Sequence, residues 1–185
     1  MRVNLEWLRE WVDFDLQAEQ LAEQLTIGGL EVDSVEPIPP IPPGIVVAEV
    51  LDTQPHPNAE RLNLCTVTDG VKTHSVVCGA PNVSSGLKAA FAPVGSTLPD
   101  GREIKTIELR GVASEGMLCS AAELGLSDDA AGLLELDSDA PVGTSLSEYL
   151  RLDDMILDID LTPNRGDCFS VLGVARETAA LSGAL

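Results

Sequence analysis

Aromatic residues are scarce in this chain. Six of its 185 residues are Phe, Trp or Tyr, and between positions 44 and 148 Phe91 stands alone. Proteins that hold single-stranded nucleic acid stack its bases on several aromatic rings, so the middle of the chain is poorly equipped for that task. Basic residues are scarce too: 11 Lys and Arg stand against 30 Asp and Glu, a formal net charge of −19. That imbalance argues against a generic nucleic-acid binder, and DNA is not an expected partner. No apolar run approaches the roughly 18 residues a membrane helix needs. Charges at Arg2, Glu6, Arg9 and Glu10 interrupt the N-terminus too early for a secretory signal. The expectation is therefore a cytoplasmic protein without a membrane partner. No glycine loop of the phosphate-cradling kind is present. The two histidines, His56 and His74, have no nucleophile that the sequence alone can pair with them. Cys65, Cys78, Cys119 and Cys168 lack CxxC spacing, which favours buried thiols in a reduced compartment over a metal site or disulfide framework.

What is present reads as a globular chain with a real core. Apolar residues make up 44%, and a chain of this length can bury about 70% of its unfolded surface. The charge is unevenly spread. Residues 1–40 sum to −7, residues 41–122 to −2, residues 123–151 to −6 and residues 152–185 to −4. The near-neutral stretch holds Arg61, Lys72, Lys88, Arg102, Lys105 and Arg110. Solvated strand edges are one account of these cations and phosphate contacts the other.

That stretch organises the chain. Leu62–Thr68 is a β-prone run ending at Asp69-Gly70, a strong hairpin signal, and Thr73–Cys78 returns from it. Ile45–Thr53, Leu87–Pro93 and Glu103–Leu109 complete five short strands bracketed by glycines. Such spacing predicts a closed or nearly closed barrel. Further on, Met117–Gly125 reads as a strand turning into a short helix and Leu133–Leu136 as another strand. The acids at 128, 129, 137 and 139 lack the ligand spacing and glycine of a calcium loop and read as a solvated face.

The flanks have a different character. Asn4–Val12 predicts a short helix on which Trp7, Trp11 and Phe14 form one face, read as core and not as a base-stacking platform. Asp15 is expected to cap a second helix, Leu16–Leu25, burying Ala18, Leu21, Ala22 and Leu25. Gly28-Gly29 stops it, and Leu30–Val35 alternates as a half-exposed strand. Five prolines within 37–43 make a stiff connector, favoured over a proline-recognition ligand. At the other end, Met155–Leu161 is a strand and Thr162–Gly166 a tight loop. Asp167 is expected to cap a helix reaching Leu181 with Phe169, Leu172, Val174, Ala175 and Ala179 facing a core. Neither flank can build a core alone. The expected fold is therefore α+β. Residues 1–38 and 152–185 form one discontinuous α+β domain, and the barrel, 39–151 including a proline-rich linker at 39–43, is inserted through loops.

Three segments carry a resemblance: HPNAERL at 56–62, VVCGAPNV at 76–83 and RGVASEGMLCSAAELGL at 110–126. In this order and spacing they resemble the tRNA-binding OB-fold module shared by several synthetases and tRNA-binding proteins. MRVNLEWLREWVDFD at 1–15, IGGLEVDSVE at 27–36 and DIDLTPNRGDCFSVLGVARETAAL at 158–181 resemble the start of the bacterial phenylalanine–tRNA ligase β chain. The resemblance implies a parent α2β2 enzyme, partnered by an α subunit, that joins phenylalanine to tRNA with ATP and Mg²⁺. It places the aminoacylation site on the α chain and the editing pocket later in β. The present chain is expected to be a non-catalytic N-terminal fragment with no cofactor and no metal of its own. As motif positions it offers Arg61, Asn63, Lys88 and Arg110 toward phosphates, and Asn82 and Ser120 for polar contacts. Two alternatives stand beside weak tRNA binding: a purely architectural docking module, favoured by the acidic charge, and a free-standing tRNA-binding protein, disfavoured by TPNRGDCFSVLG.

Overall fold

A computed structural model of the chain describes residues 1–184. In chain order the elements are β1 (Arg2–Asn4), α1 (Leu5–Arg9), α2 (Ala18–Ile27), β2 (Glu31–Pro37), β3 (Val46–Pro55), β4 (Asn63–Thr68) and β5 (Thr73–Cys78). They continue with β6 (Lys88–Pro93), β7 (Ile107–Leu109), β8 (Val112–Ser114), β9 (Gly116–Leu118), α3 (Leu146–Tyr149), β10 (Met155–Asp160) and α4 (Val171–Ser182). A short 3-10 turn, Pro163–Cys168, precedes α4. The chain divides into two compact units, Met1–Pro39 with Asp153–Leu185, and Pro40–Leu152.

The first unit is an antiparallel sheet in the order β1-β10-β2 with α1, α2 and α4 packed on it. Its two sequence-distant halves are tied by more than strand pairing. Asp154, itself buried, accepts hydrogen bonds from the Asn4 side chain and from the Glu6 N–H, so a carboxylate from the far segment caps α1.

Three sequence expectations for this unit are corrected. Helix α1 is only five residues long and buries Leu5 and Leu8, followed by Val12, while Trp7 is 47% and Trp11 55% exposed. A 3.6-residue period draws two apolar stripes here. The aliphatic one continues from buried Val3 of β1 and takes the core; of the aromatic stripe only Phe14 is buried, with the Arg9 guanidinium 5.4 Å above its ring. Helix α2 begins after Gln17, whose capping box with Gln20 replaces the expected cap at Asp15. Helix α4 begins after Ser170, whose Oγ accepts the Gly173 N–H at 3.1 Å, and not at Asp167. The later start leaves Phe169 outside the helix and 66% exposed, and within it Val174, Ala175 and Thr178 face the core while Leu172 does not.

The second unit is an antiparallel five-stranded sheet, β5-β4-β3-β6-β9, curled into a nearly closed barrel. Strand β3 is the long one. Its first half, Val46–Glu49, pairs with β6; from Glu49 to Pro55 it pairs with β4, with an irregularity between Val50 and Asp52. Closure comes at β5, where Ser75 O accepts the Glu115 N–H at 2.8 Å and the Val77 N–H donates to Ser114 Oγ at 3.0 Å. Inside lie Val50, Cys65, Val67, Val76, Ala89 and Phe91. The opposite face of β3 and β6 is covered as well, by Ile45, Leu98, Ile104, Cys119, Leu124 and Leu146. That double cover explains why β6 (KAAFAP) is buried at four consecutive positions.

Four of the five expected strands stand, and the fifth moves. Glu103–Leu109 supplies only a bridge from Glu103 to Thr97 and the short β7, which pairs with β8 in a separate hairpin. The barrel strand is β9, which pairs with β6 through Phe91 and Leu118. Gly116 permits this: its φ is 141°, and a Cβ there would lie 2.5 Å from the Phe91 ring. Only the first residues of the expected Met117–Gly125 element are strand, and the rest forms a hydrogen-bonded turn closed from the Leu124 N–H to Ser120 O. Leu133–Leu136 makes a single bridge, Glu135 to Ala89.

The Asp69-Gly70 turn is charged in a way that predicts acid behaviour. Asp69 accepts the N–H groups of Val71 at 2.9 Å and Lys72 at 2.8 Å, and His74 Nε2 at 2.7 Å. Burial alone would raise its pKa, but these donors prevail and hold the carboxyl at about 2, against an ordinary 3.8. A carboxylate with a lowered folded pKa stabilises fully above its unfolded pKa and loses that contribution as pH falls through the folded one. Asp69→Asn should therefore lower stability by about 2 kcal/mol at neutral pH. In urea titrations the gap should close between pH 4 and pH 2, the window bounded by these two values. A gap independent of pH would refute the assignment.

Candidate nucleic-acid interface

Segments 76–83 and 110–126 line one groove of about 1080 Å³ on the barrel. Cys78-Gly79-Ala80-Pro81, Met117, Ser120 and Glu123 are among its lining residues. The charges in it are largely spent. Arg102 pairs with Asp100 at 3.4 Å and Lys105 with Glu103 at 2.9 Å. Glu123 accepts the Ser120 N–H at 2.8 Å and its Oγ–H at 2.9 Å. The groove thus sets three carboxylates against two cations, which favours apolar or backbone contact over phosphate capture.

The six sequence-predicted site residues fall into two groups. Asn82 donates to Leu133 O at 3.1 Å and to Glu135 Oε1 at 2.8 Å, and accepts the Leu133 N–H at 2.9 Å. It fastens segment 132–135 to the barrel. Ser120 is buried and closes a turn with Glu123. Lys88 is half-buried, and its Nζ donates to Ala140 O at 2.7 Å, so it is not at the exposed strand position expected of it. Asn63 opens β4 opposite Cys78, half-buried. Arg61 and Arg110 are exposed, and neither forms an ion pair among the described residues.

One loop organises both arginines. It leaves β3 at Pro55, closes on itself with the His56 N–H donating to Leu62 O at 3.0 Å, and carries Arg61. The same loop holds the β7–β8 hairpin whose tip is Arg110-Gly111. His56 Nε2 donates to Leu109 O at 3.1 Å, and Asn58 Nδ2 donates to Arg110 O at 3.0 Å. The Asn58 N–H donates to His56 Nδ1 at 3.0 Å, which fixes the imidazole as the Nε2–H tautomer. His56 and Asn58 were missed as site residues because both partners are backbone carbonyls some fifty positions away. The available signal was two polar side chains flanking a proline in a turn.

Other chemistry-bearing groups are structurally engaged. All four cysteines are free and buried, and burial pushes the Cys119 thiol up to about 12. Asp167, Cys168 and Glu177 place ligand atoms within 4.8 Å of one another, but Arg165 already sits among them. Its guanidinium lies 2.8 Å from Glu177 Oε2 and 3.1 Å from Cys168 Sγ. It also holds the Asp167 carboxyl below the usual carboxylate range. A guanidinium in the cation position means that these three side chains do not fit the Mg²⁺ that the resemblance implies for a parent enzyme. No helix among the described residues is long and apolar enough to cross a membrane.

Residues 45–145 match the family model described as a putative tRNA binding domain. The whole chain is similar to proteins named phenylalanine–tRNA ligase beta subunit. It is 55% identical to that of Legionella pneumophila (strain Lens) over 98% of this chain and 23% of that protein. Against the Hahella chejuensis protein the identity is 53% over the same shares, and against that of Pseudomonas syringae pv. tomato it is 52% over 100% and 23%. The chain spans about a quarter of the length of these relatives.

Proposed function

The chain belongs to the putative tRNA-binding domain family, and on that premise we propose that it serves a phenylalanine–tRNA ligase as a non-catalytic part of the β subunit. The whole enzyme would join phenylalanine to its tRNA with ATP and Mg²⁺ in the cytoplasm, and an α subunit would partner β in an α2β2 assembly. Within it this region makes weak, sequence-tolerant contact with tRNA phosphates. The observation that carries the reading is the display of Arg61 and Arg110, exposed and unpaired among the described residues, on a loop and on the hairpin tip that this loop clamps, in a strongly acidic chain. With Lys72, also exposed, they supply about three phosphate contacts.

At roughly 0.7 to 0.9 per contact, log affinity for tRNA should fall with log salt at a slope of about −2 to −3, a twenty- to fortyfold loss between roughly 50 and 200 mM. Arg61→Glu with Arg110→Glu should abolish binding in fluorescence anisotropy while the thermal transition stays in place. Lys88 is unsuitable for this test because its ammonium holds Ala140. Submicromolar affinity at physiological salt, or no binding at any salt, would refute the weak-contact reading. The second outcome would favour the architectural one, which has its own support in a groove with paired charges and no aromatic ring in its lining.

A further inference from the structure

The hairpin tip breaks a local rule. Leu109–Val112 closes a two-residue turn in which Arg110 has φ 51° and Gly111 φ 85°. Positive φ at both central positions is the pattern of a type I′ turn, which selects Asn, Asp or Gly at the first of them. Arginine there carries backbone strain that asparagine would largely relieve. Strained positions that persist cluster where a side chain is needed for function. The β7–β8 hairpin is a sheet of its own, outside the five-stranded one. Left to itself, a lone two-stranded hairpin is marginally stable. Its tip is nonetheless held by side chains at two consecutive carbonyls entering the turn, His56 at Leu109 O and Asn58 at Arg110 O. Asn58 also lies where Gly111 passes closest, its Nδ2 3.6 Å from where a Cβ would sit.

We infer that His56 and Asn58 are positioning residues, a neutral hydrogen-bonded clamp that fixes the strained Arg110 tip beside the loop bearing Arg61 so that its guanidinium meets an RNA phosphate. The inference rests on the tRNA reading above. The clamp touches no ligand. Its role is to hold one cation in a fixed place, and fixing the charged group before binding removes the ordering cost from the encounter.

The test uses the full chain and tRNA titrated across salt. Arg110→Asn should raise the melting temperature, because it relieves the turn, yet reduce the magnitude of the salt slope by about 0.7 to 0.9, one phosphate contact. Asn58→Ala should reduce the slope by the same amount although it changes no charge, and combining it with Arg110→Asn should reduce it no further. A merely structural Asn58 would lower the melting temperature and leave the slope at its wild-type value, and that result overturns the proposal. If the wild-type chain binds no tRNA at low salt, the tRNA reading fails and the Arg110 contact fails with it. The clamp is then judged by amide exchange: faster exchange across Ile107–Ser114 in Asn58→Ala sustains it, and unchanged exchange overturns it.

Discussion

Phe91→Ala is expected to destabilise the barrel by about 3–5 kcal/mol, the range for emptying a fully buried aromatic site. Phe91 is completely buried and sits where three strands meet, opposite Val46 of β3 and Leu118 of β9. Its ring packs against His74 with centroids 4.8 Å apart, and the backbone of Gly116 passes directly beneath it. Collapse around the cavity is limited because the neighbours on β6, Ala89, Ala90 and Ala92, are small and already packed on both faces. The contact with Gly116 allows a sharper check. Gly116→Ala alone should be costly from ring overlap and from φ 141°. In the Phe91→Ala background the ring overlap is gone, leaving the backbone strain and a 2.9 Å approach to Ala92 O, so the double mutant should be more stable than additivity requires. Strict additivity in urea titrations would show that the close approach carries no energy. We also propose that the barrel is an independently folding insert. In calorimetry of the full chain the Phe91→Ala loss should then fall on one transition and leave a second unmoved.

The second large effect is expected at Gly173→Ala, about 3 kcal/mol of destabilisation of the other unit. Helix propensity alone would favour alanine by about 1 kcal/mol, so the sign of the result is informative. A Cβ at position 173 would lie 2.0 Å from Asp167 O and 2.8 Å from Cys168 Cα. These are backbone atoms, and the turn that carries them is held in place. Arg165 pairs with Asp167 at 3.3 Å and Glu177 at 2.8 Å and reaches Gly28 O at 3.4 Å. The helix cannot retreat without giving up the Gly173 N–H bond to Ser170 Oγ. Unchanged or higher stability in thermal unfolding would mean that the turn yields, and that the Arg165 network does not hold it.

Much of the architecture was legible because it rests on local chemistry. Alternation and turn residues place β3, β4, β5 and β6, and Gly28-Gly29 ends α2. Scarcity of cations and aromatics marks the chain as a poor generic binder of nucleic acid. Where the expectations failed, the alternatives are locally equivalent, and long-range contacts decided between them. Leu5 and Leu8 face inward in place of the expected Trp7 and Trp11, because the aliphatic stripe continues from Val3. Asp167, the expected cap of α4, is claimed by the Arg165 network, and Ser170 caps the helix instead. The expected fifth strand, Glu103–Leu109, gives way to β9, whose Gly116 leaves room for the Phe91 ring that overlies it. The candidate site follows the same division. Which residues carry charge is written in the sequence; that Lys88 is bound to Ala140, Asn82 to Leu133, and Arg110 to the loop of His56 and Asn58 depends on backbone carbonyls that only folding brings within reach.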